Sequence, residues 1–278
     1  MAEREPNAQQ RADFMDLEVP EYAYMFGFLQ ADGHLYQGTG QKGRLSVELN
    51  VRDVDLLYRF KHLTPYNSSV TERFRSTNFA ESHSATWNLC SLEARNTLNQ
   101  LGLPYGRKSK KITPPRVSFS RRDYLRGIID ADGSVGYTGQ GIPFVSLATT
   151  STAIGAYLCF YAKKVTGAQR LIKRNTRDDI YNIGYDKEAA QKLVAELYYP
   201  GCLSLGRKQV KADSIASWSR PADMRIVSQR RWTASEDQLL LQLGDAMAAA
   251  EKLGRTEMSC RMRLWRLRNC RMLVPNDQ

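Results

Sequence analysis

The sequence predicts an α+β protein in which one αββαββα unit occurs twice, followed by a small all-α domain. Three observations carry this. The stretch YMFGFLQADG, ending at Gly33, is echoed by YLRGIIDADG, ending at Gly133, so that Asp32 and Asp132 lie 100 positions apart (132 − 32). A second landmark, Gly106-Arg107-Lys108, returns as Gly206-Arg207-Lys208 at the same offset (206 − 106). Unrelated landmarks that share one spacing mark an internal duplication. Beyond residue 216 the composition changes, first to a polar stretch and then to a leucine- and arginine-rich helical pattern.

Residues 1–19 are polar and read as a flexible N-terminus. The first repeat, 20–118, opens with a helix at Pro20-Glu21, because proline is tolerated in a first helical turn. Ala23, Gly27 and Ala31 recur every fourth residue and share one face of it. The second repeat, 119–216, starts its helix after Ser120 as N-cap and repeats the stripe with Asp123, Gly127 and Ala131. Small residues allow two helix axes to approach closely, which makes Gly27 and Gly127 the expected helix-interface positions. Gly33 and Gly133 then stand where a helix takes a left-handed C-terminal residue.

Period-two alternation over 44–52 puts Arg44, Ser46, Glu48, Asn50 and Arg52 on one strand face and Leu45, Val47, Leu49 and Val51 on the other. Residues 143–150 are its counterpart. Helices follow over 54–63 and 152–165, then strand pairs at 70–75 with 86–90 and at 170–174 with 180–185, then helices over 92–101 and 187–197. Each repeat should therefore build a four-stranded sheet with a broad polar face. Residues 217–231 form a linker. In the helical domain, 232–270, Thr233 or Ser235 with Glu236 signals an N-cap. Helices should run from about Leu239 to Leu243, Ala246 to Leu253 and Glu257 to Leu267, with a helix-turn-helix connection at Leu253-Gly254-Arg255-Thr256.

Composition narrows the chemistry. The 278 residues carry 40 Lys and Arg against 29 Asp and Glu, a net +11 that favours a polyanionic partner. Five cysteines show no C-x-x-C spacing, so a zinc site or disulfide framework is not expected. The three histidines, His34, His62 and His83, form no metal-binding or histidine-nuclease grouping, and His34 reads as a turn residue. No apolar run reaches the ~20 residues of a membrane span. The start has no apolar signal-peptide core, and the expectation is a soluble, cytoplasmic, monomeric protein.

An acid at a helix C-terminus faces the negative end of the macrodipole. Two such helices side by side would also bring Asp32 and Asp132 into mutual repulsion, which raises carboxylate pKa values. A divalent cation relieves both penalties, and hard carboxylate oxygens suit Mg2+. Such a metal can polarise a phosphodiester, generate hydroxide and stabilise the leaving oxygen.

At these residues, over 20–212, the chain resembles the LAGLIDADG homing endonucleases in their single-chain, two-repeat form. Leu125 to Gly133 nearly reproduces their signature, whereas Met25 to Gly33 departs at Phe26 and Gln30 but keeps Gly27, Ala31, Asp32 and Gly33. The resemblance implies a pseudo-twofold core with saddle-shaped antiparallel sheets and a site-specific double-strand break in a long DNA target, leaving short 3′ overhangs. It implies Asp32 and Asp132 as metal-binding catalytic acids that share two or more Mg2+ ions, each serving one scissile phosphate. The carbonyls of Ala31 and Ala131 would add ligands. Lys108 and Lys208 would help activate water or offset phosphate charge, with plain backbone phosphate contact as the alternative, and Glu48 and Ser146 would position water.

The exposed strand faces would lie along the major groove, where Arg44, Glu48, Asn50, Arg52, Arg73, Arg75, Lys173, Arg174 and Asn182 would read bases or hold phosphates. The last domain resembles Myb/SANT-like helix-turn-helix domains, with Trp232, Leu243, Leu253 and Trp265 as its core and Arg261, Arg263, Arg266 and Arg268 towards DNA. Two other functions share this scaffold: a cleavage-silent transcription regulator, disfavoured by retention of both acids, and a maturase that binds intron RNA.

Overall fold

The computed structural model describes residues 11, 13–76, 81–222, 224 and 232–269. Parts of the expected N-terminus (1–10 and 12) and linker (223 and 225–231), and residue 270 of the last domain, lie outside the described residues. The chain divides into two units, Met1–Arg220 and Pro221–Gln278.

In the first unit, helix α1 (Pro20–Ala31) leads to strands β1 (His34–Tyr36) and β2 (Arg44–Asn50), helix α2 (Val54–Leu63), strands β3 (Ser68–Ser76) and β4 (Glu81–Leu89), and helix α3 (Leu92–Gln100). The second repeat begins with α4 (Arg121–Asp132), β5 (Gly133–Tyr137), β6 (Pro143–Thr149) and α5 (Thr152–Thr166). It continues through β7 (Tyr181–Asp186), α6 (Lys187–Leu197) and α7 (Gly206–Ala216).

The first sheet is antiparallel in the order β1-β2-β4-β3. Its register pairs Leu45 with Leu89, Val47 with Trp87 and Leu49 with Ala85 on the inner face, and Ser46 with Asn88, Glu48 with Thr86 and Asn50 with Ser84 on the outer face. The second sheet is β5-β6-β7, with Val145 opposite Tyr185 and Leu147 opposite Ile183 inside. Helices cover the inner faces. Phe28, Phe60 and Trp87 pack edge-to-face at 5.5 and 6.0 Å, which favours such ring pairs beyond their burial.

Several expectations are corrected. Among the described residues the second sheet has three strands, not four: residues 170–174 contribute only the isolated bridge Arg174↔Tyr181. Arg174 spends its guanidinium locally, on the carbonyls of Asp179 and Thr150 and on the Tyr181 ring, which pins this segment as a loop. Strand β2 stops at Asn50, because the Asn50 side chain accepts the N–H of Arg52 and starts a 3-10 turn over Val51–Asp53. Ser120 stands at the N-cap of α4, but its hydroxyl donates to Asp123 rather than capping the helix. Helix α7 was not expected; the repeated Gly-Arg-Lys of the second copy forms its first turn.

The seam between repeats is the contact of α1 with α4. From Ala23 to Gln30 and from Asp123 to Asp130 every residue is buried, so these helices have no solvent side along most of their length. A Cβ on Gly27 would lie 2.2 Å from the carbonyl oxygen of Tyr124, and one on Gly127 would lie 2.1 Å from that of Tyr24. Each glycine thus seats the backbone of the opposite helix, in a reciprocal pair. Charged groups buried here are paired: Arg126 donates to Asp123 at 2.5 Å and to the carbonyls of Leu197 and Leu203, so its guanidinium is not left unsatisfied. At the edge of the seam Arg207 of the second repeat meets the buried Asp53 of the first at 3.0 Å.

The second unit holds α8 (Ala234–Leu243), α9 (Ala246–Leu253) and α10 (Glu257–Asn269). Thr233 and Glu236 close a full capping box on α8, and Ser235 is not the cap. Leu240, Ala249, Cys260 and Leu264 are its buried core, with Trp232, Leu243, Leu253 and Leu267 packed around them. Trp265 is not part of that core. Cys260, Leu264 and Leu267 share the inward face of α10, and Trp265, one residue past Leu264, is turned about 100° away and is 57% exposed.

Candidate active site and nucleic-acid face

Both seam helices end in an aspartate. Asp32 caps α1 with its N–H bonded to the carbonyls of Phe28 and Leu29, and Asp132 is the last residue of α4. The glycines that follow serve a purpose other than the expected one. Gly133 is extended (φ −100°, ψ −178°), and Gly33 is not among the glycines of positive φ. What excludes a side chain is space: a Cβ on Gly33 would come within 2.7 Å of the Leu29 carbonyl, and one on Gly133 within 2.6 Å of that of Ser146. The first strand of each sheet leaves so tightly beneath the helix end that only glycine fits.

Beneath each helix end lies a lysine. Lys108 Nζ donates to the carbonyls of Leu29 at 3.2 Å, Gln30 at 2.7 Å and Ala31; Lys208 Nζ donates to Ile129 and Asp130 at 2.7 Å and Gly133 at 2.8 Å. An ammonium has three N–H donors, so both groups are saturated by backbone. They neutralise the negative ends of the two helices from inside. Burial pushes both lysines down to about 8, against the pull of the nearby carboxylates.

Both aspartates reach solvent, yet the surrounding protein desolvates them enough to raise their pKa. The charge of Asp132 raises Asp32 further, and Lys108 and Lys208 act on both acids in the opposite sense. Two carboxylates and two ammoniums therefore form one electrostatic cluster at the seam. Among the described residues no group of three His, Cys, Asp or Glu side chains makes a closed metal cage. The donor set that remains, two carboxylates open to solvent, fits an Mg2+-type ion, which keeps waters and completes its shell with substrate phosphate. The Ala31 carbonyl, expected as a ligand, is already an acceptor for Lys108.

The outer face of the first sheet carries exposed Arg44, Glu48, Asn50, Arg73 and Arg75, with Ser84, Thr86 and Asn88 between them. Ser84 donates to Glu48 at 2.6 Å, which directs that carboxylate along the sheet. His34 is the first residue of β1, opposite Ser46, and joins this face instead of a turn. Arg52 has left it for the 3-10 turn, 3.8 Å from Asp53. The second sheet is different in kind: Ser134, Phe144, Ser146, Ala148, Asn182 and Gly184 line its outer face, while Lys173 and Arg174 sit in the loop before β7.

On α10, Arg261 pairs with Glu257, and Arg263 pairs with Asp237 at 2.5 Å beside the Trp232 ring. Arg268 donates to the Gly244 carbonyl, whereas Arg266 stands exposed next to Trp265. Arg263 is thus committed to the fold of its own unit.

Residues that local pattern did not single out complete the site. Tyr24 Oη donates to Asp130 at 2.8 Å and Tyr124 Oη donates to Gln30 at 2.5 Å, across the seam in both directions. Their only signal in the sequence is the 100-residue offset that Tyr24 and Tyr124 share with the acids.

No protein-family profile matches the chain, and no curated protein matches it. Solved structures do. The homing endonuclease I-WcaI bound to its DNA recognition sequence is similar with a TM-score of 0.53 at 13% identity, over 73% of this chain and 90% of that one. Meganuclease I-SmaMI bound to uncleaveable DNA gives 0.45 at 13% identity, over 71% and 89%. The I-LtrWI LAGLIDADG homing endonuclease bound to target DNA gives 0.44 at 10% identity, over 71% and 88%. Identities this low speak for the fold alone, and the likeness to I-WcaI carries it: a mixed α/β homing-endonuclease fold with antiparallel sheets.

Proposed function

We propose that this chain, with its homing-endonuclease fold, is a site-specific DNA endonuclease that makes an Mg2+-dependent double-strand break. The observation that carries the reading is the seam cluster: two solvent-reaching aspartates on paired helix ends, in electrostatic contact with two buried ammoniums, beside a first sheet whose outer face is polar. Asp32 and Asp132 would hold the metal and each would serve one scissile phosphate. Bound there, Mg2+ would activate water and stabilise charge on the phosphate. Lys108 and Lys208 hold the helix-end carbonyls, and through them the acids, and their positive charge keeps the paired carboxylates ionised for metal.

Residues 20–118 and 119–216 would act as two half-sites. Arg44, Glu48, Asn50, Arg73 and Arg75 would contact one half of the target, and Asn182 with Lys173 the other. Residues 232–270, joined through 217–231, would add a helix-turn-helix contact through Arg261 and Arg266, lengthening the recognised site and raising effective concentration. The protein would work as a monomer, its internal duplication replacing a dimer.

The deciding experiment incubates the protein with a randomised duplex library, with Mg2+ or with EDTA, and sequences the cut ends. Staggered, metal-dependent cuts at one long site are the expected result. Binding without any cutting under Mg2+ would point to a regulator instead and overturn the proposal.

A further inference from the structure

Position 30 of the first repeat and position 130 of the second are equivalent, yet one is Gln and the other Asp, both fully buried. Their hydrogen bonds explain the difference. Gln30 Nε2 donates to the carbonyls of Gly102 at 2.9 Å and Thr113 at 3.1 Å, the two ends of the segment that carries Lys108. Asp130 accepts instead: from the Leu205 N–H at 2.8 Å, directly before the helix turn that carries Lys208, and from Tyr198 Oη at 2.6 Å. Two carbonyl partners require a donor, which the Gln30 amide supplies, whereas the partners of Asp130 are all donors, which suits a carboxylate. A tyrosine from the other repeat also bonds each side chain: Tyr124 Oη donates to Gln30 Oε1, and Tyr24 Oη donates to Asp130 Oδ2, the oxygen that also accepts from Leu205.

Two continuous chains result, and they cross. One runs Tyr124–Gln30–segment 102–113–Lys108 and ends on the carbonyls of Leu29, Gln30 and Ala31 before Asp32. The other runs Tyr24–Asp130–Leu205–Lys208 and ends on Ile129, Asp130 and Gly133 around Asp132. We infer that Tyr24 and Tyr124 are crossed positioning residues, each fixing the lysine-bearing segment beneath the aspartate of the opposite repeat. The inference rests on the endonuclease reading for its effect on cutting, and on hydrogen bonding alone for its effect on order. Its functional meaning is coordination: neither half-site is fully assembled unless the seam is closed, so the two strand cuts share one structural condition.

The test uses the full chain and two variants, Tyr24→Phe and Tyr124→Phe, on a selected duplex with each strand end-labelled separately, in single turnover with Mg2+. Tyr124→Phe should slow one strand and Tyr24→Phe the opposite strand, each by between about tenfold and a hundredfold, the scale of a small misplacement of reacting groups. DNA affinity in EDTA should be unchanged. Equal slowing of both strands by either variant, or none, overturns the inference.

Hydrogen exchange of the metal-free protein gives a readout independent of cleavage. Tyr124→Phe should loosen 102–113 and leave 203–208 protected, and Tyr24→Phe should do the reverse; uncrossed or absent changes overturn the inference. If the unaltered protein cuts nothing, the endonuclease reading falls, while exchange still decides the crossed chains. Gln30→Glu keeps the acceptor for Tyr124 and removes the donor to Gly102 and Thr113, so it should reproduce the effect of Tyr124→Phe and replaces it if that variant does not fold.

Discussion

Replacing Gly27 by alanine should damage the seam more than any other single methyl group added to the first repeat. The new Cβ would lie 2.2 Å from the Tyr124 carbonyl oxygen, and a carbon beside a carbonyl oxygen normally keeps about 3.3 Å. The shortfall is about 1 Å. Neither partner is a flexible side chain: both belong to the backbones of buried helices, so α1 and α4 must separate as bodies. Overpacking of this kind costs about 1–3 kcal/mol. Separation also stretches the crossing bonds of Tyr24 and Tyr124, each contributing about 1 kcal/mol, for a combined loss of about 3–5 kcal/mol. Against a domain stability of about 5–15 kcal/mol this is a large fraction.

Urea unfolding followed by tryptophan fluorescence measures it, Trp87 being wholly buried beside the helices. Gly184→Ala is the control, because a Cβ there meets nothing within 4 Å. Cutting should fall about a hundredfold in surviving Gly27→Ala protein, since the aspartates move with the helix ends. An unchanged midpoint for Gly27→Ala, equal to that of Gly184→Ala, would refute the reciprocal seating of the seam.

Four further outcomes are expected. Asp32→Asn or Asp132→Asn should abolish double-strand cutting while leaving DNA affinity in gel-shift assays largely intact; normal cutting by either removes that acid from the site. Lys108 and Lys208 are held near 8 in the folded protein and ionise at the ordinary 10.5 when unfolded, so the folded state loses protons first as pH rises. Their burial is therefore a destabilising contribution that is relieved above pH 8, and stability should rise by about 2 kcal/mol for the pair between pH 8 and 9. The double variant Lys108→Met, Lys208→Met should lose that rise, and a flat profile in the unaltered protein contradicts the assignment. In the second unit Trp265→Ala should leave the melting temperature unchanged, while Trp232→Ala, which loses the stacked Arg255 guanidinium at 4.1 Å, should lower it; the opposite order would restore Trp265 to the core. Truncation after residue 220 should weaken DNA binding and keep the cut position, and a shifted cut would contradict a tethered contact.

Much of the fold was legible locally. The inner and outer faces of β2 followed from alternation, the helices at 54–63, 187–197 and 246–253 stand at the expected bounds, and the seam glycines followed from their four-residue spacing. Legibility stopped where a partner lay far along the chain. The segment 170–174 has strand-like residues, yet Arg174 bonds its own loop, and among the described residues the second sheet is one strand short of the first. Trp265 resembles a core residue by type, and only the inward line of Cys260, Leu264 and Leu267 shows that it faces out.

Taken by itself, the sequence determined the duplication, the placement of an acid at the end of each leading helix, and the small residues that let those helices meet. These are matters of period and spacing, written along one element at a time. Tertiary structure alone decided what stands opposite each element. It saturated Lys108 and Lys208 with backbone carbonyls, made Gln30 a donor and Asp130 an acceptor, and sent each tyrosine across to the other repeat. A hydrogen-bonding group accepts any suitable partner, and which partner it meets depends on the closure of the whole seam, not on its neighbours in the chain.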